Sequence, residues 1–301
     1  MAKANYMNRF WIVLFLCIAT MRGYGQKNEY IQSINDWHAK RAAYLKQPDG
    51  WLNLEGLFWF NKGVNSFGSD PASSAHYSNS SFPSKLGSFI YEGDSVLWQN
   101  SPNKAITING KLYSGQTSIT VFNAAGNAAS MDWSHFNWVV IKREDKTGIR
   151  FRNYKAPLLK TFKGLDYYPV QSKWRIKAKL EKPAQDFIMI SNILGQTTAQ
   201  KTAGKLHFKI AGAEYTLDAI HEGGNTLFVA FADATSGKQT YVSGRFIDVE
   251  MPDAAGYTFI DFNKAYNPPC AFTAFATCPL PPAQNRLLIA ITAGEKKYGH
   301  H

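Results

Sequence analysis

Hydrophobic and polar positions follow one period near the start of the chain and another from there almost to its end. From Tyr30 to Leu45 the apolar side chains Ile31, Ile34, Trp37, Ala42 and Leu45 share a stripe at helical spacing, with Lys40 and Arg41 off it. Pro48, Asp49 and Gly50 stop that helix. Trp51–Leu54 and Leu57–Phe60 then have strand chemistry and end in an Asn61-Lys62-Gly63 turn. From about residue 86 onward, short strands alternate with turn residues. Ser88–Tyr91 and Val96–Gln99 flank Glu92-Gly93-Asp94, and Ala105–Ile108 and Lys111–Tyr113 flank Asn109-Gly110, the strongest short hairpin signal in the chain. Asn137–Lys142 and Ile149–Arg152 flank a charged turn ending in Gly148. Lys205–Ile210 and Glu214–His221 bracket Ala211-Gly212-Ala213, and Thr226–Ala232, Tyr241–Val249 and Tyr257–Ile260 continue the series.

Strands recurring about every 8–12 residues predict a mostly β protein, an antiparallel sandwich or barrel-like domain with one N-terminal helix. An aromatic content of 14% suits this, because broad side chains pack on a pleated face. Asn153–Pro169 breaks the rhythm and reads as a crossover between two β halves. The chain is therefore expected to hold one β-rich domain over residues 26–301, with subregions of about 26–152 and 170–301.

The first 25 residues have the layout of a secretory signal. Lys3 and Arg9 precede the ten-residue apolar run Phe10–Ala19, and Gly23 and Gly25 supply small residues before Gln26. The run is too short to span a bilayer as a helix. These features predict a periplasmic or secreted protein with no membrane span after signal removal. Losing Lys3, Arg9 and Arg22 takes the net charge from +11 to +8. That balance favours anionic partners, and a polar or anionic small molecule or a glycan is expected rather than nucleic acid. Lys173, Arg175, Lys177 and Lys179 alternate along one strand face, which reads as solvated.

Two cysteines remain after the signal, Cys270 and Cys278, and an even count in an oxidising compartment suggests a disulfide. The competing reading is a nucleophilic or metal-binding Cys270, which would need a base or a cationic niche. No His-Glu-x-x-His, Gly-x-Ser-x-Gly or phosphate-loop motif occurs, so neither metal nor cofactor is expected.

Residues 233–245 and 261–286 are polar loops rich in Asn, Tyr and Pro, the kind of segment on which function concentrates. They are expected to build a ligand pocket from Asp233, Tyr241, Arg245, Asn263, Tyr266, Asn267 and Arg286. Arg245 and Arg286 could clamp an anion through paired donors, or could instead form internal ion pairs with acids such as Asp261 and Glu295. Asp261 and Cys270 are the candidates for catalysis in an alternative hydrolase reading, against a capping role for Asp261 and the disulfide for Cys270. A structural or partner-binding module is the third reading. Arg245 begins one predicted strand and Asp261 ends the next, so the two strands are expected to pair.

Several stretches together resemble the family designated domain of unknown function 1684. They are Gly50-Trp51-Leu52-Asn53-Leu54-Glu55-Gly56-Leu57 with Asn65–Asp70, Lys163-Gly164-Leu165 with Tyr168-Pro169-Val170, Thr235-Ser236-Gly237 with Thr240-Tyr241 and Gly244-Arg245, and Asp261-Phe262-Asn263 through Cys270 to Cys278-Pro279-Leu280-Pro281 and Asn285-Arg286-Leu287. Gln171 stands where that family leads one to expect an acid. The resemblance implies one domain type across nearly all of the chain after the signal and transfers no catalytic residue.

Overall fold

The computed structural model describes residues 27–299. The predicted signal at 1–25 lies outside the described residues. Helix α1 occupies 27–45, as the apolar stripe requires, and buries Ile34, His38 and Leu45. Among the described residues no helix is long and apolar enough to cross a membrane.

Two bodies of antiparallel-rich sheet follow. The first is a sandwich. Its six-stranded sheet has the order β1 (Leu54–Trp59), β11 (Lys146–Asn153), β10 (Phe136–Arg143), β9 (Ser130–Trp133), β6 (Ile106–Ile108), β7 (Lys111–Tyr113). Its five-stranded sheet has the order β3 (Ala75–His76), β2 (Gly63–Gly68), β4 (Gly87–Tyr91), β5 (Val96–Asn100), β8 (Ile119–Phe122). The core between them is largely aromatic. Phe67 is fully buried and has the rings of Phe82, Phe89, Trp98, Trp138 and Phe151 within 6.2 Å, centroid to centroid. Most of these contacts are tilted or edge-on, the arrangements that aromatic quadrupoles favour. Asn109 (φ 48°) and Gly110 (φ 80°) form the tight turn predicted between β6 and β7.

After the 153–169 crossover, which holds the short helix α2 (Pro157–Thr161), the chain builds a nearly closed barrel. Its order is β17 (Arg245–Glu250), β16 (Thr226–Phe231), β15 (Ala213–Ile220), β14 (Thr197–Ile210), β12 (Arg175–Glu181), β18 (Tyr257–Asp261). β13 (Phe187–Ser191) pairs with the first part of β14 as a projecting hairpin. Alternation sets the inward face: Leu206 and Phe208, Val229 and Phe231, and Ile247 and Val249 point into the barrel core.

Three strand expectations are corrected. β14 has 14 residues, because its first part pairs with β13 rather than forming a loop. Gly148 lies inside β11 opposite Trp59, and the turn is Glu144-Asp145, with Glu144 at φ 53°. β17 and β18 do not share a ladder: β17 pairs with β16 and β18 with β12. They meet at the barrel seam, where Phe246 and Tyr266 exchange two backbone hydrogen bonds of 2.8 Å. The turn nucleated by the Asp253 side chain, which accepts from the Ala255 and Tyr257 amides, feeds β18 to β12 instead.

Phe67→Ala should cost about 3–5 kcal/mol, the range for truncating a buried phenylalanine in a packed core. Urea unfolding followed by tryptophan fluorescence would measure it.

Candidate functional site

The chain end is laid across the end of the barrel and held there by one enclosed cation. Gly244, at φ 94°, precedes Arg245, and a Cβ there would collide with the Phe231 carbonyl and the Pro281 ring. This backbone turn, open only to glycine, sends the Arg245 side chain inward. Its guanidinium is fully buried and donates to Asp233 Oδ2 at 2.7 Å. It also donates to the carbonyls of Ile291 (3.0 Å), Ala293 and Glu295 (3.3 Å). Asp233 Oδ1 in turn accepts from Thr235 N (2.8 Å), Thr235 Oγ1 (2.6 Å) and Ile291 N (3.2 Å). The two residues pair inside the protein, with Arg245 Nε buried and without a hydrogen-bond partner.

The other expected pocket residues are also engaged within the protein. Asp261 caps the turn after β18, accepting from Asn263 N at 3.1 Å and from the Tyr30 hydroxyl of α1 at 2.9 Å. Asn263 is buried and donates to the Gln171 carbonyl at 3.0 Å, while its Oδ1 accepts from Gln171 N at 3.1 Å. Asn267 is buried and donates its N–H to Glu295 Oε2 at 2.7 Å and its amide to the Lys296 carbonyl at 2.7 Å. Tyr241 packs among Leu45, Leu52 and Phe272. Arg286 is exposed, on the turn that follows Pro282. Cys270 and Cys278 form a disulfide with Cα atoms 6.3 Å apart, so Cys270 carries no free thiolate. Asp233 and Arg245 therefore meet each other but not Arg286, and of the seven expected binding residues only Tyr266 lines the cleft.

That cleft, of about 1030 Å³, lies where sandwich, barrel and helix meet. One wall is α1, whose Trp37, Lys40, Arg41 and Tyr44 recur at three- and four-residue steps and so share a face. A second wall is the β10–β11 hairpin, with Lys142, Arg143 and Arg150. The third is the outer face of β16 and β17, with Phe228, Phe246 and Asp248, together with Tyr266 and the disulfide loop. The β13–β14 hairpin overhangs with Asn192, Thr198 and Gln200. Segment 233–245 contributes no lining residue, and 261–286 contributes Tyr266, Pro269 and the stretch 276–279.

The cations of the cleft differ in how they are satisfied. Arg41 lies over the Tyr266 ring (4.7 Å to the centroid), donates to the Asn267 carbonyl (3.0 Å) and pairs with buried Glu295 (3.3 Å). Arg150 and Arg152 both project from the outer face of β11, since Ile149 and Phe151 point into the sandwich core. Their guanidinium carbons lie 5.2 Å and 5.9 Å from the Trp51 ring. Arg152 donates to the Gly50 carbonyl and to Asn53 Oδ1. Arg150 Nε is buried without a hydrogen-bond partner. Burial, with the charges of Arg143 and Arg152 beside it, lowers the Arg150 guanidinium to about 10. Among the described residues no carboxylate pairs with it.

Opposite stands Asp248. It is exposed on the cleft side, and partial desolvation by the protein around it raises its carboxyl above the usual carboxylate range against the opposing influence of Tyr266 and Arg41. Burial and the Asp248 charge raise the Tyr266 hydroxyl well above its ordinary value. No group of three or more metal-ligating side chains occurs among the described residues. Sequence reasoning missed Arg150, Asp248 and the helix face of Trp37, Arg41 and Tyr44. Alternation along β11 marks Arg150 and Arg152 as outward, but no local signal says that a helix and a second β body will cover that face.

The model of a family described as "Protein of unknown function (DUF1684)" matches residues 160–296. That stretch holds the barrel, Asp248, Tyr266 and the disulfide loop, while Arg150 lies before it. Among solved structures, an uncharacterized protein of Haloarcula marismortui determined by solution NMR is 30% identical, over 47% of this chain and 80% of its own, with a TM-score of 0.40. The N-terminal FHA domain of S. cerevisiae Rad53p, crystallised with a phosphothreonine peptide, is 14% identical over 33% of this chain and 73% of its own, with a TM-score of 0.19. At these TM-scores neither likeness carries an argument about shape. No curated protein matches the chain.

Arg245→Ala should lower stability by about 3–5 kcal/mol, because Asp233 is left as an uncompensated buried charge. Denaturant unfolding would show this, and Asp233→Asn combined with Arg245→Ala should cost less than the sum of the two singles. A second expectation concerns His38, whose ring stacks on Tyr167 at 3.6 Å and whose Nε2 lies 2.9 Å from the Asn263 carbonyl. Burial holds this imidazole below its usual 6.5. The unfolded chain therefore takes up the proton first, and stability falls as pH drops from about 6.5 toward the depressed folded value. Melting curves across pH 5–8 should show that this component is missing in His38→Gln.

Proposed function

As the chain belongs to the DUF1684 family, whose description names no activity, we propose from its chemistry that it binds a small anionic ligand in the cleft between sandwich and barrel. The observation that carries this reading is Arg150. A largely desolvated guanidinium with an unsatisfied buried Nε and two arginines near it has the Trp51 ring face but, among the described residues, no carboxylate to offset its cost. A bound anion would supply both the missing charge and the missing acceptor, through the planar donor geometry that suits carboxylates and phosphates. The cleft has the size of a small-molecule site and sets many charged and polar groups beside apolar wall.

Binding is preferred to hydrolysis because both residues put forward for catalysis have other tasks: Asp261 caps a turn and Cys270 is held in a disulfide. Export to the periplasm or beyond is part of the same proposal. It is supported by the N-terminal layout of charge, apolar run and small residues, and by a disulfide, which persists in oxidising compartments.

In low-salt buffer, phosphate, sulfate, acetate or citrate should raise the melting temperature of the full chain, as any ligand of the folded state does. Arg150→Met should abolish that rise, and its stability without ligand should equal or exceed the parent's by up to about 1 kcal/mol, since a strained cation is removed. A parent protein indifferent to all four anions would overturn the reading.

A further inference from the structure

The cleft is polarised, and its second pole narrows the class of ligand. Arg150 lies on the sandwich wall, and Asp248 on the barrel wall. Among the described residues Asp248 is in no ion pair. Asp248 is exposed and has the Tyr266 hydroxyl beside it as a donor, and an occupant could add further donors, either an ammonium group or hydroxyls. Lys40, Arg41, Lys142, Arg143 and Arg150 line the same space and outnumber its acids Glu144, Glu222 and Asp248, so a ligand cation would meet net repulsion. Neutral hydroxyls would satisfy Asp248 without that cost.

Two further features point the same way. Asn192 and Gln200 line the cleft on the overhanging hairpin; the Asn192 amide is held largely within its turn by Gln196 and Leu194, while Gln200, which gives one amide hydrogen to Thr198, retains the capacity to donate to and accept from hydroxyl groups. Trp37 and Trp51 offer apolar faces beside these polar groups. An occupant with an apolar face and a polar rim fits both, and a pyranose ring has that construction. The space, about 1030 Å³, exceeds one sugar ring and lies at the upper end of the range for small-molecule sites, roughly 300–1,000 Å³.

We propose that the cleft takes an acidic saccharide, with its carboxylate, phosphate or sulfate group at Arg150, its hydroxyls on Asp248 and the overhanging Gln200 amide, and its ring faces against tryptophan. This rests on the anion reading above and adds to it the polyol half of the ligand.

The test is titration of the full chain with acetate, glucose, glucuronate and digalacturonate, followed by calorimetry and by the fluorescence of the cleft tryptophans. Digalacturonate should bind at least tenfold more tightly than acetate, and glucuronate should fall between them. Glucose should bind more weakly than either acidic sugar. In Asp248→Asn the ratio of digalacturonate to acetate affinity should fall by tenfold or more, whereas in Arg150→Met the affinity for both should fall. Acetate binding with no gain from the sugar, or an unchanged ratio in Asp248→Asn, would overturn the saccharide inference and leave the anion reading intact. Absence of binding by every acid would overturn both.

Discussion

Arg245 carries its charge with the guanidinium wholly enclosed, and much of the molecule is arranged around keeping it there. Removing such a charge from water is costly, and a lone carboxylate seldom offsets it. Here the Asp233 carboxylate is joined by three carbonyls of the chain end, at Ile291, Ala293 and Glu295. The cation thus fixes the path of the last described segment across the barrel. That segment presents Glu295, whose buried carboxylate accepts from Asn267 N and from Arg41 of α1. Burial raises the Glu295 carboxyl, while Arg41 and Asn267 act to keep it ionised. A chain of charge therefore runs from the barrel interior through the chain end to the helix. Gly294, at φ 75°, belongs to this path, since a Cβ there would strike the carbonyls of Ala265 and Phe262.

The three arginines differ in one respect, the presence of a counter-charge, since the Nε of Arg245 is as unpartnered as that of Arg150. Arg245 has a carboxylate and three carbonyls, and Arg41 has a carboxylate, a carbonyl and an aromatic face. Arg150 has an aromatic face and no counter-charge. A protein gains no stability from such a group, which makes it the position where a ligand can contribute most. The same reasoning explains why polar loop composition was a poor guide. Segments 233–245 and 261–286 are dense in donors and acceptors, but they use them on one another and on the chain end.

The sequence was most legible where local chemistry decides the outcome. The period of the apolar residues gave α1, Asn109-Gly110 gave its hairpin, and the spacing of Cys270 and Cys278 was compatible with the disulfide. It was less legible where distant partners decide. Nothing local shows that β14 pairs with β13 along its first part, or that β18 joins β12 rather than β17. The site lay further out of reach. Arg245 was singled out as a ligand-binding residue, whereas it pairs with Asp233 and with the carbonyls of Ile291, Ala293 and Glu295, which carry no signal for that role. Arg150 carries no local signal in the sequence because the helix covering its strand lies more than a hundred positions earlier.

The disulfide bears on the cleft through what its loop holds. Cys278 accepts at its carbonyl from Ile193 N at 3.0 Å, and Leu280 N donates to the Ser191 carbonyl at 2.7 Å, so the loop anchors the tip of the β13–β14 hairpin. That hairpin reaches the sandwich, where the Gln196 amide donates to Asp145 Oδ1 at 2.8 Å. The overhang of the cleft is thus tied at one side to the barrel and at the other to the β10–β11 turn that carries Arg143 and Lys142. A two-stranded ribbon alone is marginal in water, and this one exposes Phe187 and Met189 on its outer side. Its position depends on these ties. Closing the loop with a covalent bond limits the arrangements open to the anchor before any ligand arrives. A wall already in place lowers the ordering cost of binding, so under the binding proposal the cross-link would contribute to affinity without touching the occupant through its sulfurs.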